Sequence, residues 1–338
     1  MTQTDPPFTA TMFQRRRVPG WAVNGALLGL VVVLWFIGKA FDKNLDPYYL
    51  DLLLHIGIAI ILAVSLNLIN GITGQFSLGH AGFMAVGAYV GGVILKHAAP
   101  QGAAVPVMFL GLMILGGLAA AAAGVLVGVP TLRLRGDYLA IATLGFGEII
   151  TVVLNQIESI GSYEVGGSAG LHNIPITTNF FWTFLAALIC VVVVARLVYS
   201  QKGRPFFAVR EDEIAAAAMG VDTTFYKVAA FVVGAFFAGV AGVLSATLSG
   251  NLDPAAFGFV RSIEIVMMVV LGGSGSITGS ILAAAVLTLL PEWLRALESW
   301  RLVIYALLLI LMMLLRPEGL LGNRELWWTR RRLLAVER

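Results

Sequence analysis

The chain has 338 residues, 59% of them hydrophobic and only 12% charged, with a mean hydropathy of +0.89. Soluble domains carry about 25% charged residues, so this composition excludes an ordinary soluble enzyme or nucleic-acid-binding protein and points to an all-α polytopic membrane protein. The formal net charge of +3 is small, and its placement along the chain says more than its size.

Residues 1–20 are polar and contain Arg15, Arg16 and Arg17, ahead of the apolar run 21–38. That run is long for a signal-peptide core and no small-x-small cleavage pattern follows, so it is expected to be an uncleaved first span. Further apolar segments lie at about 51–70, 76–95, 104–129, 138–157, 180–199, 228–249, 259–271, 277–290 and 301–315. Ten crossings are therefore expected, most of them meeting the ~20 residues that a ~30 Å hydrocarbon core requires. The short pair flanking LGGSGSITG reads either as two spans or as one broken, re-entrant helix.

With the amino terminus inside, sixteen of the 22 Lys and Arg fall on the inner side and six on the outer. This bias supports both termini being cytoplasmic. The expected organisation is a tail at 1–20, a transmembrane domain at 21–315 with a long cytoplasmic loop at 200–227, and a second tail at 316–338. Two groups of five spans would permit an inverted repeat; the Gly-rich turns at 71–82 and 272–279 are weak internal similarity, but under this topology they do not occupy equivalent positions.

The segment LNLINGITGQFSLGHAGFMAVGAYVGG, residues 66–92, holds seven glycines and one histidine with no formal charge. Glycine weakens a helix in water, yet in lipid it allows close helix approach and a protected break in the backbone. The segment therefore points to transport. His80 reads first as a hydrogen-bonding group between helices, and second as a lining residue of a path. The steps Gly87-x-x-x-Gly91, Ala88-x-x-x-Gly92, Ala235-x-x-x-Gly239 and Ala238-x-x-x-Gly242 predict tight helix pairs.

Two carboxylates sit inside expected spans, where ionisable groups are costly. Glu264 follows Arg261 by three residues, a helix-face pairing distance. Glu148 has no charged neighbour within a turn and lies roughly halfway along its helix at about 1.5 Å per residue. Both a hydrogen-bonded structural role and a cavity-lining role fit Glu148.

No G-x-x-x-x-G-K-[ST] occurs, so any ATP must be hydrolysed by a partner. GSGSITG at 273–279 has the wrong glycine spacing for a dinucleotide loop and reads as a break between helices. The four histidines are dispersed, the single Cys190 lies in an apolar run, and no metal or other cofactor is expected.

The loop SQKGRPFFAVREDEIAAAAMGVDTTFYK, 200–227, differs from its neighbours. Arg204-Pro205 is expected to turn the chain; Glu211, Asp212 and Glu213 crowd a helix start, and Gly220 marks its end. The expected result is a surface helix of about two turns at 211–220, whose alanines suit docking in a groove of another protein.

Here the chain resembles a family. IAAAAMG at 214–220 is similar to the EAA-x-x-x-G coupling helix of ABC importer permeases: Ala215, Ala216 and Gly220 match, while Ile214 stands where that motif has Glu and Glu213 lies one residue early. GITGQFSLGHAGFMAVGAY at 71–89, LRLRGDYLAIATLGFGEI at 132–149, VREDEIAAAAMGVDTTFYKVAAFVVGAFFAGVAG at 209–242 and LRPEGLLG at 315–322 resemble the LivM-type permease subunit of branched-chain amino acid ABC importers. The resemblance covers about residues 50–322. It implies a LivH-like second permease, two cytoplasmic ATP-binding subunits and an extracytoplasmic substrate-binding protein. It also implies alternating access driven through the helix at 211–220, with Arg210, Glu211 and Glu213 beside its matched residues. Gly74, Ser77, His80, Gly82 and Glu148 then lie near the path. The rivals are a urea or short-amide ABC permease and, from another class, an ion-coupled secondary transporter using Glu148 and His80.

Overall fold

The computed structural model describes residues 20–98, 104–131, 134, 136–295, 300, 303–304, 306–307, 310, 314–315 and 319–322. Helices α1 (Gly20–Asn44), α2 (Pro47–Asn67), α3 (His80–Ala98), α4 (Ala104–Thr131), α5 (Asp137–Gln156) and α6 (Phe180–Tyr199) are followed by two short ones, α7 (Arg204–Glu211) and α8 (Glu213–Ala218). Then come α9 (Thr223–Ser249), α10 (Phe259–Gly272) and α11 (Ile277–Trp293). One small hairpin, β1 (Ser159–Ile160) with β2 (Tyr163–Glu164), interrupts the helices.

Among the described residues, seven helical stretches are long and apolar enough to cross a membrane: Pro47–Ile72, His80–Ala98, Val105–Thr131, Asp137–Gln156, Phe180–Tyr199, Thr223–Ser249 and Pro254–Gly272, with Ile277–Trp293 shorter. The expected first span falls in α1, and most of the expected last one, 301–315, lies outside the described residues, as do most of the two tails. The segment expected at 76–95 starts only at His80, because residues 74–79 are non-helical. The ambiguous stretch 259–290 is two helices, α10 and α11, joined by a tight turn that sets the Gly272 backbone against that of Gly279.

The core is α3, α4 and α9 with α2 beside them. The small-residue steps face one another: a Cβ on Gly87 would overlap the Gly239 backbone, and one on Gly242 would overlap the backbone of Met84. Close backbone approach maximises dispersion contacts where lipid offers no hydrophobic driving force. By contrast α5 is the least buried of the seven spans, exposing Ile141, Ile149 and Val152 as a lipid-facing helix does.

Residues 73–79, 200–222, 273–276 and 319–322 gather at one end of the bundle. The other end is closed by the hairpin, by the bridge between Leu171 and Leu252, and by a 3-10 turn at Pro254–Phe257 capped by Asp253. There Lys96 Nζ donates to Glu164 Oε2 at 2.7 Å and Glu164 N donates to His97 Nε2 at 3.1 Å. The Arg261–Glu264 pair forms as its spacing predicts, at 2.9 Å.

Candidate functional site

The Gly-rich segment is a chain break built by its neighbours. After α2 the helix widens into a π turn at Leu68–Ile72, the kind of local irregularity found at functional sites. Asn70 then brackets the extended chain, its Nδ2 donating to Ser77 O at 3.3 Å and its Oδ1 accepting from Ser77 N at 3.1 Å. Leu78 N donates to Thr143 Oγ1 of α5 at 3.1 Å, and Gln75 N to Ile69 O at 3.0 Å. Non-helical backbone inside a membrane bundle must find such partners within the protein.

A second break, at 273–276, meets the first. Gly275 N donates to Asn67 Oδ1 at 2.9 Å, and Ser276 Oγ caps α11 by accepting from Gly279 N at 3.0 Å. The described part of LRPEGLLG docks beside it: Leu320 N donates to Leu271 O at 2.7 Å. The two Gly-rich turns thus share one end of the bundle, whereas equivalents in an inverted repeat would sit at opposite ends.

The loop after α6 completes this end. Residues 204–211 are helical, with Pro205 in the first turn of α7, so Arg204-Pro205 starts a helix where a turn was expected. Proline lacks only an N–H that the first turn leaves unpaired anyway. Phe206 and Val209 are buried, Phe206 edge-on to Tyr226 with centroids 5.3 Å apart. The expected single helix at 211–220 is divided at Asp212, whose extended backbone ends α7 and whose Oδ1 accepts from Ile214 N and Ala215 N at 2.8 and 3.1 Å.

At the far end of α8, Val221 N donates to Ala216 O and Gly220 N to Ala217 O, at 3.1 and 3.0 Å. With φ of +85° at Gly220, this is a Schellman cap, which favours glycine because a side chain is strained there. Glu213 carboxylate oxygen Oε1 lies 2.5 Å from Lys227 Nζ in α9 and accepts from Thr223 Oγ1 at 3.4 Å. Ala216 faces inward, while Glu211 and Ala215 are exposed. So are Ile214, Met219 and Phe225, at 69%, 85% and 62%, an apolar surface on a loop otherwise rich in charge.

The sequence-predicted path residues are only partly brought together. Gly74 (φ +72°) and Ser77 lie in the first break. His80 opens α3 fully buried: Ser65 Oγ donates to Leu62 O at 3.1 Å and so accepts from His80 Nε2 at 2.9 Å, tying α3 to α2. Gly82 meets α5, where a Cβ would stand 2.9 Å from Gly147 Cα. Glu148, next to that contact, is half-buried, with Oε1 3.6 Å from the Cβ position of Gly258 at the start of α10.

Asn67 Nδ2, both amide atoms of Gln75, Ser77 Oγ and His80 Nδ1 are buried without hydrogen-bond partners among the described residues. Such orphans are costly, and a site that passes a polar solute tolerates them because water or solute can satisfy them. Sequence reasoning passed over Asn67, Asn70, Gln75 and Thr143, although amides in an apolar segment are themselves a signal. Among the described residues no group of three His, Cys, Asp or Glu could hold a metal ion.

The chain is similar to known proteins. The high-affinity branched-chain amino acid transport system permease proteins LivM of Salmonella typhimurium and of Escherichia coli are each 39% identical over 298 residues, covering 78% of this chain and 68% of theirs. LivH of Salmonella typhimurium is 28% identical over 288 residues, covering 78% of this chain and 91% of its own. No solved structure matches the chain. The model of the family described as branched-chain amino acid transport system / permease component matches residues 48–315, and the chain belongs to that family.

Proposed function

We propose that this chain is the transmembrane permease subunit of an ABC importer that moves branched-chain amino acids across the bacterial cytoplasmic membrane. The family assignment supports the substrate class, since the LivM relatives are named for it. A LivH-like permease completes the path, two cytoplasmic ATP-binding subunits supply energy, and an extracytoplasmic binding protein delivers substrate. The urea or short-amide permease and the ion-coupled transporter have no comparable support.

One observation carries the mechanism: α8 presents an exposed apolar face, while Glu213 and Lys227 fasten it to α9. A helix docked on an ATPase subunit by that face passes the subunit's movement directly to a membrane-crossing helix. In this reading Arg210, Glu211, Glu213, Ala215, Ala216 and Gly220 form the coupling element. Gly74, Ser77, His80, Gly82 and Glu148 lie along or behind the path, and substrate crosses by alternating access between the two permeases.

Adding α1, α11 and the apolar segment 301–315 to the seven delineated spans gives ten crossings. Both termini are then cytoplasmic, in line with the Lys and Arg bias, with tails at 1–20 and 316–338 around a membrane domain at 21–315. A five-plus-five division about residues 157–179 is supported by a different pair of breaks: 73–79 leads into α3 at one end, and 250–258 leads into α10 at the other.

The test is reconstitution of the chain with a LivH-like permease, both ATPases and the binding protein in liposomes. ATP-dependent uptake of labelled leucine, absent without either ATPase, is the expected result. Accumulation by the purified chain alone under an ion gradient would overturn it.

A further inference from the structure

Arg210, half-buried in the last turn of α7, touches both chain breaks. Its Cγ, Cα and Cβ lie 3.1, 3.3 and 3.4 Å from where a Cβ would stand on Gly74. Its Nη1 and Cζ lie 2.6 and 3.8 Å from the same position on Gly275. The backbone and aliphatic stem therefore cover one turn and the guanidinium the other. Beside them a Cβ on Gly71 would overlap Asn67 Oδ1 and Gly275 N, the two atoms of the bond that ties the second break to the end of α2.

A side chain at 71 would meet the Gly275 backbone, and one at 74 or 275 would crowd Arg210. Gly74 and Gly275 also hold φ of +72° and +98°. Glycine turns gain freedom at the cost of packing. Arg210 supplies the missing packing, since a long stem with a flat, weakly hydrated head covers exposed backbone as a compact ammonium cannot. Its own position is set by Phe206 and Val209, buried one turn and one residue earlier, and Asp212 joins it directly to α8.

We propose that Arg210 is a positioning residue that clamps the breaks at 71–79 and 273–276 to α7, so that a displacement of α7 and α8 moves both breaks together. The transport arm of the test rests on the coupling role proposed above; the exchange arm does not.

In the exchange arm, amide hydrogen exchange is followed on the purified full-length chain. Arg210→Ala is expected to speed exchange at both 71–79 and 273–276 by about tenfold or more, leaving the core of α3 and α9 unchanged. Arg210→Gln keeps the stem on Gly74 and is expected to loosen 273–276 alone; it decides the matter if the alanine variant does not fold. Exchange unchanged at both breaks, or raised only within 204–220, overturns the clamp. In the transport arm, the reconstituted Arg210→Ala complex is expected to lose about tenfold in leucine taken up per ATP hydrolysed, with Arg210→Lys recovering only part because its head is smaller and more hydrated. Uptake per ATP equal to wild type overturns the proposal. A wild-type complex that takes up no leucine sinks the substrate assignment and leaves the clamp to the exchange result.

Discussion

Glu213 and Lys227 form an ion pair of 2.5 Å between the first residue of α8 and the first turns of α9. The lysine side chain is 9% exposed and the glutamate 24%, so the pair is shielded mainly on the α9 side. It fixes a six-residue helix that is too short to hold itself, since isolated helices below about 12 residues are marginal in water.

Removing one partner breaks this shielded pair. Lys227→Met is expected to destabilise the protein by about 1–2 kcal/mol, less than breaking a fully buried pair, because Glu213 is 24% exposed and keeps the Thr223 hydroxyl. Glu213→Gln should cost less, because the ammonium keeps a polar neighbour. Thermal unfolding of both single variants and the double variant measures the coupling, and additive losses would show that the pair contributes nothing of its own.

Gly220→Ala tests the end of the same helix. Among the described residues no atom beyond its chain neighbours lies within 4 Å of the added Cβ, so the left-handed backbone carries the penalty, roughly 1–2 kcal/mol. The expected outcome is a folded permease that hydrolyses ATP with its partners but takes up less leucine for each ATP. Uptake per ATP equal to wild type would remove α8 from the coupling element.

Gly239→Val is expected to fail where Gly145→Ala succeeds. The α9 position has the Gly116 backbone and Ala120 of α4 against it, while among the described residues nothing beyond its own helix stands within 4 Å of a Cβ on Gly145 of α5. Overpacking a tight core costs about 1–3 kcal/mol, and here two backbones would have to separate. Thermal unfolding in detergent should show a lower midpoint for the first and no change for the second.

These positions also mark how far the sequence could be read. Small-residue spacing named the faces of α3 and α9 that meet, because helix period converts spacing into a stripe. Asp212 and Gly220 were visible as helix signals because caps depend on local chemistry. The late start of α3 was hidden, since residues 76–79 carry the same apolar and glycine composition as the helix, and only Asn70 and Thr143 make the extended form affordable. The contact between Asn67 and Gly275 spans 208 residues, and no local pattern encodes it.

Acid should loosen the hairpin at the opposite end. The hydrogen bond from Lys96, and then its charge, hold the Glu164 carboxyl below its ordinary value of 4.5. A depressed carboxyl contributes its full stabilisation above the unfolded value and loses it as pH falls through the folded one. Protection factors at 159–164, taken relative to the intrinsic exchange rate at each pH, should therefore be flat above pH 4.5 and fall below it, and the fall should shrink in Glu164→Gln. High salt should weaken the effect, because the carboxylate is largely exposed.

Glu148 separates a structural from a transport role. Its carboxylate lies beside the start of α10, where the positive helix end favours an anion by about 0.3–1 kcal/mol. If that were its whole purpose, Glu148→Gln would lower stability by this amount and leave uptake alone. We expect the reverse: a half-buried carboxylate, with no hydrogen bond or ion pair among the described residues, midway along the least buried span, is an expensive group to keep for packing. Leucine uptake by the reconstituted Glu148→Gln complex should fall severalfold with the unfolding midpoint little changed, whereas unchanged uptake would assign Glu148 to the helix end alone.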